Sequence, residues 1–284
     1  MLRAAIILGI VESLALIVPA ASLAASQPRI ASMNVCTDQL LLSLADPGQI
    51  LGLSRYAHDG LYSADASWPA GDARKFPVLS GGAEDILMLH PDVVVTTPFN
   101  ERSTRELLRL NGVHLVEFPV PQTMDELRAQ IRKMGEITGH LDRTDAQIAR
   151  LDAAVLHARQ SLANRSERVL PLSRRGWVAG RDSLIGVLLR AAGLHNAADE
   201  LGLTDGGLVS LEAIIALKPD LLLVSEEGDR AEDEGRALLL HPALERFYPL
   251  DKRIVIPERF TVCGGVVLAD ALDRLVAEMK RIGR

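Results

Sequence analysis

Glu84-Asp85-Ile86-Leu87-Met88-Leu89-His90-Pro91-Asp92-Val93-Val94-Val95 aligns without a gap on Glu212-Ala213-Ile214-Ile215-Ala216-Leu217-Lys218-Pro219-Asp220-Leu221-Leu222-Leu223. Each copy reads as an acid, one or two helical turns, Pro-Asp and a strand. The acid meets the positive end of the helix, Ser210 can cap the second copy, and the proline ends the helix because it lacks an N–H and its ring clashes with the preceding turn. The apolar run that follows does not alternate with polar residues. That pattern predicts a strand buried on both faces, as in a parallel sheet covered by helices. One such phrase is common in α/β proteins; two in matching places predict duplicated lobes.

The surrounding sequence keeps the same grammar. In the first half, apolar runs predict strands at Arg29–Met33, Ile50–Leu53, Val93–Thr96 and Val113–Phe118. Helical spacing appears between them, at Asp38, Leu40, Leu41 and Leu44 and again at Met124, Leu127, Ile131 and Met134. The second half restarts near Arg168, with strands at Arg168–Leu172, Asp220–Val224 and Arg253–Ile256 and helices at Asp182–Ala192, Ser210–Leu217 and Gly264–Arg281. Alternating strands and helices predict an α/β layer architecture in each half. Between the halves, Gly139–Asn164 has no internal glycine or proline, and its apolar residues at Ile148, Leu151, Val155, Leu156 and Leu162 predict one long helix. Such a helix, about 22 residues at roughly 1.5 Å each, can bridge two lobes as a stiff strut.

The beginning of the chain reads as an address. Met1-Leu2-Arg3 supplies a positive charge, Ala4–Val18 is apolar except for Glu12 and Ser13, and Ser22-Leu23-Ala24 offers the small residues a signal peptidase inspects. These features predict a signal peptide over residues 1–24 and a periplasmic mature chain. The expected division is then 25–138 for an N-terminal α/β lobe, 139–165 for the inter-lobe helix and 166–284 for a C-terminal α/β lobe. A hydrophobic fraction of 48% supports an ordinary core, and a formal net charge of −6 argues against a nucleic-acid surface. In an oxidising compartment the two cysteines, Cys36 and Cys263, are a disulfide candidate by count alone.

The order of these pieces resembles the periplasmic solute-binding proteins of the iron-siderophore, haem and vitamin B12 ABC importers. The resemblance is carried by Pro28-Arg29-Ile30-Ala31-Ser32, the two acid–helix–Pro-Asp–strand phrases, Ala179-Gly180-Arg181-Asp182-Ser183-Leu184 and Ala191-Ala192-Gly193-Leu194. It implies two Rossmann-like lobes with parallel sheets joined by one long helix. It also implies a monomer that needs no cofactor, catalyses nothing and binds no nucleic acid. The expected partners are a metal chelate (an iron-siderophore, cobalamin or haem) and a permease dimer with its ATPase. In that family an exposed acid on each lobe docks with the permease, and the matching residues are Glu84 and Glu212.

In such folds ligands sit between the lobes at the carboxyl ends of the strands. That rule nominates Asn34, Arg55, Tyr56, Trp68, Phe99 and Arg102 from the first lobe, with Tyr62 beside them. Trp177, Arg181, Arg259 and Phe260 come from the second lobe, with Glu226. The aromatics offer flat apolar contact, and Arg55, Arg102, Arg181 and Arg259 place positive charge around the expected cleft, which together predict a large, partly anionic chelate. Cys36 and Cys263 both fall in cleft loops, where they either form a bond between the lobes or offer two thiolates to a soft metal.

Two rival readings remain open at this point. His58, His90, His114, His140, His157 and His195 could serve a zinc- or manganese-binding importer protein, although no His-rich loop appears. A secreted α/β enzyme is the other, although the chain has no P-loop, dinucleotide glycine fingerprint, His-Glu-x-x-His helix or Gly-x-Ser-x-Gly elbow.

Overall fold

The computed structural model describes residues 27–59, 68–225 and 238–283. The signal-peptide reading of residues 1–24 lies outside them, as do Tyr62 and Glu226. In the first lobe, β1 (Ile30–Ser32), β2 (Ile50–Ser54), β3 (Val78–Leu79), β4 (Val93–Thr96) and β5 (Leu115–Glu117) form a parallel sheet in the order β3-β2-β1-β4-β5. In the second, β6 (Arg168–Pro171), β8 (His195–Asn196), β10 (Leu221–Val224) and β11 (Arg253–Val255) form a parallel sheet in the order β11-β10-β6-β8. A short antiparallel ribbon of β7 (Trp177–Ala179) and β9 (Gly206–Leu208) stands beside it. The strand after each repeated phrase, β4 or β10, lies directly beside the first strand of its lobe, β1 or β6.

The repeat extends to individual hydrogen bonds. Asp92 Oδ2 accepts from the Arg29 amide at 2.7 Å, and Asp220 Oδ2 accepts from the Arg168 amide at 2.7 Å. The same two arginines turn their guanidinium groups onto the carbonyls that end the preceding helix. Arg29 donates to Leu89 O (3.0 Å) and His90 O (3.4 Å), and Arg168 donates to Leu217 O (3.0 Å) and Lys218 O (2.9 Å). His90 and Lys218 are both left-handed, with φ of 48° and 50°. Each helix therefore closes on a left-handed residue followed by proline, and its orphan carbonyls find a donor.

The helices are α1 (Val35–Leu44), α2 (Ala83–Met88), α3 (Arg102–Leu110), α4 (Met124–Thr138), α5 (Leu141–Ser161), α6 (Leu184–Ala192), α7 (Leu211–Leu217), α8 (Pro242–Phe247) and α9 (Leu268–Ile282). Both faces of each sheet are covered, so β1, β4 and β10 are buried along their whole length. On one side of each sheet lies a separate small core, with Ile86 and Leu108 from α2 and α3 in the first lobe and Ile214 and Leu244 from α7 and α8 in the second. On the other side both lobes share a single core. It runs from Leu41 and Leu44 of α1 through Ile131 of α4 and Leu151 of α5 to Leu188 of α6 and Leu272 of α9.

The long helix expected over Gly139–Asn164 is α5, 21 residues and about 31 Å long. Gly139 belongs to the preceding turn, where φ of 78° caps α4. α5 packs on α4 at one side and on α6 and α9 at the other, so it touches both lobes. Polar links reinforce it: Arg128 of α4 donates to Asp152 at 2.7 Å, and Arg150 pairs with Asp270 of α9. The two-residue strands β3 and β8 and the β7–β9 ribbon have no counterpart among the expected strands. They are too short to show a period in sequence.

α4 and α5 cross closely at Gly135, where an added Cβ would lie 1.8 Å from Thr144 Oγ1. Thr144 is itself pinned, its hydroxyl donating to His140 O at 2.8 Å. Gly135→Ala should therefore destabilise the protein by about 1–3 kcal/mol through overpacking, despite alanine's better helix propensity. Urea denaturation checks this, with Gly48→Ala, where nothing lies within 4 Å, as the near-neutral control.

Candidate functional site

The carboxyl ends of the two sheets border two adjoining cavities. One, about 280 Å³, lies between the lobes. Its first-lobe wall comes from the loops after β1, β4 and β5, with Asn34, Phe99, Phe118 and Pro119–Pro121, and its second-lobe wall from Leu184, Val262 and Gly264. The other, about 300 Å³, sits at the edge of the second sheet and is lined by Ser173, Arg174, Trp177, Ser225, Glu258 and Thr261 among others. Val262 borders both. The first cavity is mostly apolar; the second mixes three hydroxyls, one guanidinium and one carboxyl with an aromatic ring.

Local hydrogen bonding fixes these walls. Asn34 caps α1, its Oδ1 accepting from the Cys36 amide at 2.9 Å. Asn100 accepts from the Thr96 and Thr97 hydroxyls (2.9 and 3.0 Å) and donates to Met33 O (3.0 Å), tying the loop that carries Phe99 to the end of β1. Phe99 is nevertheless 77% exposed, and Trp177 across the cleft is 45% exposed. Cys36 and Cys263 are joined in a disulfide with Cα atoms 5.0 Å apart. It ties the start of α1 to the loop between β11 and α9 at the floor of the inter-lobe cavity.

Two residues beyond Cys36, Asp38 is fully buried. Its carboxyl accepts from the Ser54 amide at 3.1 Å and the Ser54 hydroxyl at 2.5 Å. Burial pushes its pKa up to about 7, against the hydrogen bonds from Ser32 and Ser54 that favour the charged form. Glu258 is also pushed up by burial and by the charge of Asp59 from the first lobe, while Arg174 opposes the shift.

Of the ligand residues expected from sequence, Asn34 and Phe99 line the inter-lobe cavity and Trp177 lines the second-lobe cavity. The other seven line neither. Arg55 stacks on Tyr56, 4.8 Å from the ring centre, and donates to its hydroxyl at 2.8 Å. Arg102 pairs with Glu106 at 2.6 Å, and Arg181 lies 3.8 Å from Asp182. Arg259 stacks on Phe260 at 4.7 Å, and Phe260 and Trp68 pack against the shared core. Sequence reasoning missed Phe118, Arg174, Glu258 and Thr261. Arg174, Glu258 and Thr261 lie one to three residues from nominated positions, whereas Phe118 ends the expected strand Val113–Phe118 and borders a loop that was not nominated.

Glu84 and Glu212 occupy the same position, the second residue of α2 and of α7, and both are exposed. Hydrogen bonds from its own amide and from Ser210, with His241 nearby, hold Glu212 below the usual carboxylate range. The histidines are dispersed: His58 meets Ala73 O (3.0 Å), His140 meets Asp46 (3.2 Å), His157 meets Asp273 (3.5 Å) and His195 meets Glu200 (3.6 Å). Among the described residues no three His, Cys, Asp or Glu side chains converge as a metal-holding group, and no helix is long and apolar enough to cross a membrane.

A family model described as a periplasmic binding protein matches residues 30–250. A curated cobalamin-binding protein of Halobacterium salinarum is 26% identical over 232 residues, covering 78% of this chain and 60% of the relative. The chain thus spans about 60% of the length of the curated relatives it matches. Among solved structures, the periplasmic heme-binding protein RhuT from Roseiflexus sp. RS-1 in apo form superposes with a TM-score of 0.72 at 24% identity, covering 91% of this chain and 100% of that one. BhuT in complex with two hemes gives a TM-score of 0.72 at 22% identity, covering 90% and 98%. A protein of an ABC-type Fe3+-hydroxamate transport system from Saccharomonospora viridis gives 0.69 at 20% identity, covering 89% and 93%. At these identities the structural matches speak for the fold alone.

The floor of the cleft generates two predictions. The disulfide closes a loop of 227 residues, so Cys36→Ala/Cys263→Ala should lose about 2–5 kcal/mol of unfolding free energy. Guanidinium denaturation under oxidising conditions measures it. Asp38 holds its proton in the folded state up to about pH 7, whereas its ordinary value is 3.8. Between those values the unfolded chain has released a proton that the folded chain keeps. Stability should therefore fall as pH rises from about 4 to about 7, by at most about 1.4 kcal/mol per pH unit from this group, and level off above. Denaturation of wild type and Asp38→Asn across pH 4–8 checks this; only the wild type should show that slope.

Proposed function

Because the chain belongs to the periplasmic binding protein family, we propose that it is the substrate-binding component of an ABC importer. It captures a metal chelate, an iron-siderophore, cobalamin or haem, and delivers it to a permease dimer coupled to an ATPase. A periplasmic binding protein binds its solute outside the cytoplasm, which fits the signal-peptide reading of residues 1–24. In this reading lobes 25–138 and 166–284, joined through 139–165, close on the chelate as a monomer. The relatives named for cobalamin, heme and Fe3+-hydroxamate support the chelate class.

One observation carries the reading. Two cavities adjoin where the carboxyl edges of two parallel sheets converge, with the exposed aromatic faces of Phe99 and Trp177 on opposite lobes. Their combined size falls within the range of small-molecule sites, and such a convergence is where α/β folds place ligands. Asn34, Phe99 and Trp177 are the proposed ligand contacts. Glu84 and Glu212, presented alike at the first turns of two helices, are the proposed permease contacts.

Titration of the purified protein tests the first half of this reading. A ferric siderophore, haem or cobalamin should quench tryptophan emission through Trp177, while Zn²⁺ and Mn²⁺ alone should not; a response confined to the bare ions sinks the chelate assignment. Charge reversal tests the second half. Glu84→Arg and Glu212→Arg should abolish chelate-dependent growth and leave affinity within about threefold of wild type, because both residues stand outside the cavities.

A further inference from the structure

Resting on the chelate-binding reading, we propose that Gly264 is a specificity-determining residue: its missing side chain lets the lobes meet at Pro121, and that contact sets the width of the inter-lobe cavity and so the bulk of the chelate it admits. Gly264 follows Cys263 in the second-lobe loop between β11 and α9, and Pro121 belongs to the first-lobe loop between β5 and α4. Both are buried, and both line the inter-lobe cavity. A Cβ on Gly264 would lie 2.5 Å from Pro121 Cγ, 3.0 Å from Pro121 Cδ and 3.2 Å from Leu184 Cδ1. The backbone of Gly264 is not left-handed, so its conformation makes no demand for glycine. What excludes a side chain there is the approach of the other lobe.

Neither side of this contact yields readily. The proline ring has no rotatable side-chain bond, and hydrogen bonds hold the segment around it. Gln130 Nε2 donates to Pro119 O at 2.6 Å, the Gln122 amide donates to Glu126 Oε2 at 2.8 Å, and Arg190 of the second lobe's α6 reaches across to Gln122 O at 2.8 Å. On the second-lobe side the disulfide to Cys36 fixes the preceding residue, Cys263. Gly265 is also close to the first lobe, since its Cβ would lie 3.3 Å from Leu40 Cδ2. Carbon atoms rest about 3.5–4.0 Å apart, so one methyl group at Gly264 requires about 1 Å of separation that neither loop supplies. In a close-packed interior that displacement passes to the lobes themselves. The cavity between them is about 280 Å³ and is bounded elsewhere by apolar side chains such as Leu40, Phe118 and Val262, so its width decides which apolar bulk it matches. One methylene more or less in such a pocket is worth about 10–200-fold in discrimination.

The test begins without a chelate. Spin labels on Glu84→Cys and Glu212→Cys, exposed positions one to a lobe, report the inter-lobe distance while the native cysteines stay paired. Gly264→Ala should shift that distance by at least about 1 Å, and adding Pro121→Ala, which removes Cγ and Cδ, should return it. Affinity is then read on the purified full chain by tryptophan quenching with ferrichrome, haem and cyanocobalamin. The chelate that wild type binds most tightly should lose at least about tenfold in Gly264→Ala, its advantage over the other two should shrink, and the double variant should recover to within about threefold of wild type. Gly135→Ala, overpacked against Thr144 away from the cavity, should keep its affinity within about twofold of wild type despite its lost stability. An unchanged distance or affinity in folded Gly264→Ala overturns the proposal, as does a double variant as weak as the single or an equal loss in Gly135→Ala. Should Gly264→Ala fail to fold, a folded double variant with near wild-type affinity upholds the contact, and failure of both to fold overturns it. If wild type binds none of the three chelates, the chelate reading falls, and the distance measurement alone decides whether Gly264 sets the width.

Discussion

A buried parallel strand must receive its chain from a helix without leaving carbonyls unpaired, and each lobe meets this constraint with the same arginine–aspartate clasp. Arg29 or Arg168 opens the lobe's central strand, gives its amide to the aspartate of the Pro-Asp pair, and covers the last carbonyls of the preceding helix. The clasp locks β1 beside β4 and β6 beside β10. Everything at the opposite, carboxyl end of those strands depends on that register. A slip there would displace Asn34 after β1, the Phe99 loop after β4 and the Ser173–Trp177 turn after β6 together. In the second lobe Arg168 also pairs with Glu200 at 2.7 and 2.8 Å, adding a polar contact the first lobe does not repeat.

The two lobes share apolar packing as well as a chain. One continuous core runs through α1, α4, α5, α6 and α9, so the lobes are not free bodies on a flexible hinge. Interiors of this kind shift between discrete packings rather than bending continuously. The Cys36–Cys263 bond adds a covalent tie between the lobes, with Cys36 lining the inter-lobe cavity. Within that rigid frame the loops are free to diverge chemically, and they have: the cavity between the lobes is apolar, while the one at the edge of the second sheet carries opposite charges.

Much of the fold was legible because its signals are local and repeated. The Pro-Asp phrase marks two helix ends and two strands at once, and the uninterrupted apolar runs of β4 and β10 are the pattern burial on both faces demands. The left-handed His90 and Lys218 explain why those two positions match without any shared chemistry. The site was legible only to the level of loops. Trp177 and Arg181 sit in one nominated stretch, yet only Trp177 lines a cavity, because the direction of a loop side chain follows from backbone dihedrals that composition does not reveal. The positive φ of Arg175 is such a case; it directs its neighbour Arg174 at the cavity, and no propensity at that position announces it. Self-neutralising contacts such as Arg102–Glu106 were likewise invisible to a count of nearby charges.

The disulfide also imposes an order on biogenesis. Its two sulfurs are 227 residues apart, one at the start of the first lobe's opening helix and the other after the last strand of the second. The thiol of Cys36 therefore has no native partner until both lobes have been synthesised. During that interval it can mispair with other thiols, and the native bond closes only when the two lobes bring its sulfurs together. The bond and the shared core then hold the same arrangement of the two lobes.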